Sequence, residues 1–175
     1  MGDPHMQRAG IAADLATERL SLRPTRPADL PALHRLWTDP DIRRFLFDER
    51  VLSRDDARAF VDASVTSFVE HGFGLWLVFR HDAAELAGFA GLLSSAAAPS
   101  LIYGIRPELC GCGLATEAAR AILDYALGQR LPKVMADVDE PNVASVRVLE
   151  KLGMTRVRRG IVNGRPLLYF ELTCG

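Results

Sequence analysis

The stretch CGCGLATEAARAILDYA, residues Cys110 to Ala126, packs two cysteines and two glycines into four positions and then runs on with helical spacing. Before it stands the short apolar segment SLIYGI (100–105), followed by Pro107. Ala115, Ala118, Ala119, Ile122 and Ala126 recur along one side of a helix over 114–126. The order is therefore strand, glycine loop, helix. The first N–H groups of a helix have no internal partner and lie at the positive end of its dipole. Glycines remove the Cβ atoms that would keep a bulky anion away. The loop reads as a cradle for a pyrophosphate, and equally as an ordinary strand-to-helix turn. A dinucleotide fingerprint does not fit, because Thr116 stands where the third glycine belongs, and a P-loop does not fit for want of a lysine.

The two cysteines suggest a metal, but two further soft ligands are needed and only distant Cys174 remains. His5, His34, His71 and His81 are dispersed, so no metal centre is expected. The odd count of three cysteines also argues against a disulfide framework.

Working outward, RLSLRP (19–24) alternates as a strand, and Pro24 and Pro27 lead into Leu30, Leu33, Leu36 and Trp37 at helical spacing. Ser53 with Asp55 and Asp56 starts a second helix, carrying Ala57, Phe60, Val61, Val65 and Phe68 and ending near His71-Gly72. GLWLVFR (74–80), ELAGFAGLL (85–93) and SLIYGI form a meander, with the small, turn-rich SSAAAPS (94–100) between the last two. LPKVMADVD (131–139) is a further strand with Val134, Ala136 and Val138 on one face. Asn142 opens a helix with Val146, Leu149 and Leu152, stopped by Gly153. Asn163-Gly164 between two strand-like runs is a hairpin turn. The predicted order is β-α-α-β-β-β-α-β-α-β-β, an α/β (α+β) fold with a mixed sheet and helices on both faces.

With 175 residues, 49% of them hydrophobic, one folding unit with a full core is expected. The opening residues 1–6 resemble a cloning remnant and are set aside. A formal charge of −1 with scattered basic residues gives no field for a nucleic-acid backbone. No apolar run approaches the roughly 18 residues of a membrane span. A soluble, cytoplasmic protein follows as the expectation, with no nucleic-acid or membrane partner.

IRPELCGCGLATEA resembles the acetyl-CoA-binding motif of the GNAT superfamily of N-acetyltransferases, Q/R-x-x-G-x-G/A, and its Ala-Thr-Glu-Ala continuation is similar to the Rim-type ribosomal-protein branch. Gly113 and Ala115 match that pattern. Cys110 takes the Gln/Arg position, a departure from that pattern. ERLSLRPTRPADLPALHRLWTDPDI resembles the family's N-terminal strand and helix, and DEPNVASVRVLEKLGM its second CoA-contacting segment. The likeness covers residues 18–173, one N-acetyltransferase domain with a mostly antiparallel sheet of about seven strands, acting as a monomer or homodimer.

The resemblance implies a set of site residues. Cys110, Gly111, Cys112, Gly113, Leu114, Ala115 and Thr116 would hold the pyrophosphate. Tyr103, Gly104 and Ile105 would pair with the pantetheine arm where the two middle strands splay, and the Ile105 N–H would serve the oxyanion. Asn142 would contact that arm and Ser145 would return a proton to the thiolate, although Asn142 and Ser145 read from sequence alone as a helix cap. Arg120 and Lys151 would reach the CoA phosphates or face solvent. Glu108, Glu117, Asp137 and Asp139 are alternatives for the general base, each equally readable as a solvated charge, and a water chain is a further option.

The expected reaction is acetyl transfer from acetyl-CoA to a primary amine by direct attack, the acceptor a protein N-terminus or a small molecule. Acceptor pockets of the family lie between the first two helices and the C-terminal hairpin. Here those carry Arg43, Arg44, Asp48 and Glu49, and Arg156, Arg158, Arg159 and Arg165. The hairpin arginines either steer an acidic acceptor or are solvated strand charges. A non-catalytic acyl-CoA-binding regulatory module is the alternative; a nucleotide-dependent transferase lacks its lysine and third glycine.

Overall fold

The computed structural model describes residues 13–47 and 50–173. The presumed remnant 1–6, with His5, and Asp48, Glu49 and Cys174 lie outside the described residues. Strand β1 (Leu15–Ala16) and β2 (Leu20–Pro24) precede α1 (Leu30–Thr38), α2 (Pro40–Arg43) and α3 (Arg54–His71). Then come β3 (Leu75–Arg80), β4 (Leu86–Leu93), β5 (Ser100–Ile105), α4 (Leu114–Gly128), β6 (Lys133–Asp139), α5 (Val143–Lys151), β7 (Thr155–Val162) and β8 (Arg165–Thr173). The mixed sheet has eight strands in the order β1-β2-β3-β4-β5-β6-β8-β7. All neighbours are antiparallel except β5 and β6.

Local chemistry sets most boundaries. Ser53 accepts from the Asp56 N–H while Asp56 reaches back to the Ser53 N–H, a capping box that starts α3, and Gly72 at φ 77° ends it. Asn163 and Gly164 take φ of 51° and 77°, the doubly left-handed turn a two-residue hairpin needs. The two elements beyond the predicted order, β1 and α2, are two and four residues long, too short to carry a period. Asp39 starts α2 by accepting from the N–H groups of Asp41 and Ile42.

The sheet divides two cores. On one face α4 and α5 pack Ala118, Ile122 and Leu149 against Leu22, Trp76, Ala90, Ile105, Val138 and Phe170. On the other, α1 to α3 bring Leu33, Trp37 and Val61 to Leu75, Leu77 and Phe89. That second core draws on β3, β4 and Ile102 of β5 but on nothing from β6, β7 or β8. Among the described residues, no apolar cluster covers the C-terminal half of the sheet on that face. Among the described residues no helix is long and apolar enough to cross a membrane.

Candidate active site

The two middle strands part almost at once. β5 and β6 share one register pair, Ser100 with Met135, where the Met135 N–H reaches the Pro99 carbonyl at 2.8 Å. The Arg106 N–H donates to Ala87 at 2.9 Å and continues the antiparallel register of β4 and β5. Residues of an antiparallel pair alternate between bonding their partner and facing away, so Gly104 and Ile102 are turned to β4. Tyr103 and Ile105 therefore aim their N–H and C=O groups into the opening toward β6. Gly104 is glycine for a packing reason: a Cβ there would come within 2.7 Å of the ring of Phe89, its direct partner on β4.

The glycine loop crowns this opening. Gly111 and Gly113 take φ of 83° and 81°, the left-handed region that favours glycine. A Cβ at Gly111 would meet nothing within 4 Å, so backbone conformation rather than crowding within the protein requires the residue. Glu117 N–H makes the first bond of α4, to Gly113, leaving the N–H groups of Leu114, Ala115 and Thr116 without an intrahelical acceptor. Cys110 stands apart from the expected cradle. Its N–H is taken by Pro107 at 3.1 Å, and its thiol turns back toward the carbonyls of Ile105 and Arg106, 3.7 and 3.6 Å away. Burial, with Glu108 nearby, pushes that thiol above its ordinary value. Cys112 contributes its carbonyl to a contact sequence reasoning missed: Arg19, just before β2, donates to it at 2.8 Å.

The first turn of α5 closes the other side. Asn142 accepts from the Ser145 N–H at 3.2 Å, so the pair does form a helix cap. The Tyr103 hydroxyl donates to the Ser145 carbonyl at 3.3 Å, bridging β5 to α5 across the opening. Burial pushes the Tyr103 hydroxyl up to about 12, so it stays protonated at neutral pH. Arg120 does not extend toward a phosphate; it donates to the Leu152 and Lys151 carbonyls at 3.2 and 2.7 Å and closes the C-terminal end of α5.

The sequence profile described as Acetyltransferase (GNAT) domain matches residues 19–155. This chain belongs to the GNAT acetyltransferase family. It is similar to the uncharacterized protein YkkB of Bacillus subtilis (strain 168), 32% identical over 90% of this chain and 94% of that one. The uncharacterized N-acetyltransferase YnaD of the same organism is 28% identical over 81% and 82%. Among solved structures, the ribosomal L7/L12 alpha-N-protein acetyltransferase RimL in complex with coenzyme A superposes with a TM-score of 0.77. It covers 92% of this chain and 98% of its own at 18% identity, a likeness of fold.

Within this acetyltransferase the four candidate carboxylates separate cleanly. Glu117 is clasped by the Thr17 hydroxyl (2.6 Å), the Arg19 N–H (2.8 Å) and the Arg19 guanidinium (2.6 Å). Burial would raise its carboxyl, but those donors outweigh burial and keep it below the ordinary range. Glu108 pairs with Arg106, which also bonds Glu85; its own N–H and the guanidinium keep it low. Asp139 accepts from Arg165 at 3.4 Å. Asp137 has no cationic partner among the described residues. The residue is exposed, but nearby protein atoms crowd part of the carboxyl, and with Asp139 close by they push it above the usual aspartate value. Cross-strand pairing of Asp137 with Tyr169 puts both on the uncovered face, away from Val134, Ala136 and Val138.

Proposed function

We propose that this chain moves an acetyl group from acetyl-CoA to a primary amine by direct attack, in the manner of the Rim-type branch. The observation that carries the reading is the opening between β5 and β6, whose one wall offers the free N–H groups of Tyr103 and Ile105 and whose end meets the N-terminus of α4. One long ligand suits both: an amide-bearing arm adds along β5 like a strand, and a diphosphate meets the free N–H groups of Leu114, Ala115 and Thr116. RimL, of the same fold, has been solved with coenzyme A.

Acetyl-CoA supplies an activated acyl carbon and a thiolate that leaves readily. The chain's own residues supply the rest. The N–H groups of the Gly111–Thr116 loop hold the phosphates, with the two glycines allowing the backbone its left-handed turns. The Ile105 N–H, fixed in a strand and facing the opening, donates to the oxygen where negative charge develops. Asp137, which has no cationic partner among the described residues, accepts the proton of the attacking amine, and its raised pKa brings it nearer the pH at which a base works. The Ser145 hydroxyl, held at the first turn of α5, gives a proton to the departing sulfur. A covalent route through Cys110 is disfavoured, because its thiol is turned to two carbonyls and its pKa is raised rather than lowered. The acceptor, a peptide N-terminus or a small amine, approaches over the uncovered face of β6 and β8.

Calorimetric titration with acetyl-CoA, ATP and NAD, followed by CoA-thiol release against a panel of peptides and amines, tests the reading. Selective acetyl-CoA binding with release on an amine is the expected result. No acetyl-CoA binding overturns it, and binding without release on any acceptor makes the chain a regulatory module.

A further inference from the structure

Beyond the opening, the uncovered face carries a row of three side chains on three adjacent strands. Asp137 of β6 is paired with Tyr169 of β8, and Tyr169 with Arg158 of β7. Direct partners in an antiparallel ladder share a face, so all three point to the side that α1–α3 leave bare. The Arg158 guanidinium lies over the Tyr169 ring, 3.9 Å from its centroid. Gly160 makes room for that stack: a Cβ there would stand 3.2 Å from the Tyr169 ring and 3.8 Å from the Arg158 guanidinium.

The neighbouring arginines are differently occupied. Arg159 forks onto Glu140 with contacts of 3.0, 3.1 and 2.7 Å. Arg165 bonds Asp139 and the Arg44 carbonyl, tying the hairpin to the corner after α2. Arg158 alone of these three has no carboxylate partner among the described residues. A guanidinium stacked on a ring keeps its in-plane N–H donors available, so it is seated and oriented yet not neutralised.

We propose that Arg158 selects the acceptor: a primary amine that carries a carboxylate within about 10 Å, the distance across two strand spacings of roughly 4.8 Å. The amine sits at Asp137, its connecting atoms cross the face of Tyr169, and the carboxylate forks onto Arg158. This rests on the acetyl-transfer reading and names its substrate class. The span equals two or three residues of extended chain at about 3.3 Å each, so a peptide with an acidic residue near its N-terminus and a small amino acid with a remote carboxylate share the required chemistry.

The test uses matched pairs that differ only in charge. Ala-Asp-Ala-amide against Ala-Asn-Ala-amide is the peptide arm, and 4-aminobutanoate against 4-aminobutanamide the small-molecule arm. CoA-thiol release is followed with the whole chain and with Arg158→Ala and Arg158→Lys. The expected result is at least a tenfold higher kcat/KM for the anionic member in one arm, carried mainly by KM and shrinking with added salt. Arg158→Ala brings the ratio to within twofold of unity and Arg158→Lys restores part of it, while acetyl-CoA affinity by calorimetry stays that of the unmodified chain. The arm showing the preference identifies the source. Equal rates within both pairs, a preference that survives Arg158→Ala, a change in acetyl-CoA affinity, or acetyl-CoA binding with no turnover of any pair each overturn the assignment. Loss of acetyl-CoA binding by the unmodified chain overturns instead the acetyl-transfer reading beneath it.

Discussion

Arg19 and Glu117 lie 98 positions apart in sequence and meet through both the backbone N–H and the guanidinium of the arginine. The same guanidinium donates to the Cys112 carbonyl. One side chain therefore links the entry to β2, the first turn of α4 and the glycine loop between β5 and α4. The arginine is about half exposed, so solvent screening limits its contribution to stability to roughly 1 kcal/mol. Its contact with the Cys112 carbonyl also tethers the glycine loop. Arg19→Ala is expected to weaken acetyl-CoA binding about tenfold by calorimetry, equivalent to about 1.4 kcal/mol, with a smaller loss of thermal stability. Unchanged affinity would show that the loop needs no tether.

Glu117 also sets a pH signature. Its folded carboxyl is held below the ordinary value near 4.3, so its contribution to stability is complete above that value and fades as pH falls through the lower, folded one. Denaturant unfolding followed from neutral pH into acid is expected to lose stability over that window. Glu117→Gln should flatten this part of the profile while lowering stability at neutral pH.

Asp137 carries the opposite sign. Its folded carboxyl is raised, so the native state binds the extra proton between the unfolded value near 3.9 and the folded value, and this group's contribution to stability declines as pH rises across that interval. In the proposed mechanism the deprotonated form is the working one, so the acid limb of kcat/KM is expected above the range of an ordinary aspartate. Asp137→Asn is expected to cut kcat by about 10²–10⁴-fold and abolish that limb, with acetyl-CoA affinity unchanged. An acid limb that persists in the variant would move the base elsewhere.

Much of the fold was legible because short-range chemistry declares it. The segment 100–105 became β5 with those limits, Ser53 and Gly72 bracket α3, and Asn163-Gly164 turns the hairpin. Of the candidate site, the left-handed glycines of the loop and the Asn142–Ser145 cap were legible, because both are local patterns. Arg19 was not, because a residue 98 positions away leaves no spacing signal at Glu117. Nor could sequence separate the four carboxylates. Glu117 and Asp139 pair with arginines that only the folded chain brings to them, Glu108 pairs with Arg106 two positions before it, and Asp137 has no cationic partner among the described residues.

The loop itself separates two kinds of residue. Gly113 at φ 81° holds a conformation that costs an ordinary residue about 1–2 kcal/mol, and more when β-branched. A Cβ there would reach only the tip of Arg19 at 3.5 Å, an ordinary contact, so strain and intrusion on the cradle are the penalties. Gly113→Val is expected to abolish measurable acetyl-CoA binding. Cys110→Ser with Cys112→Ser, where both thiols make only long contacts to carbonyls, should leave affinity within a few fold. The reverse pattern in a calorimetric titration would return the thiols to the centre of the site.

Tyr103 and Ser145 supply a last distinction, between a proton donor and the group that positions it. The Tyr103 hydroxyl reaches the Ser145 carbonyl rather than its side chain, and with its pKa pushed up to about 12 it stays protonated near neutrality. Ser145→Ala removes the hydroxyl assigned to the thiolate. A CoA thiolate leaves without much help, so kcat should fall by less than the about 10²-fold that usually marks the loss of a general acid. Tyr103→Phe removes a long neutral hydrogen bond worth at most about 1 kcal/mol and loosens the first turn of α5. It should raise the KM for acetyl-CoA a few fold, with kcat and the alkaline limb of the pH profile unchanged. If Tyr103→Phe instead lowers kcat more than Ser145→Ala and shifts that limb, the tyrosine is the proton donor and the serine its support.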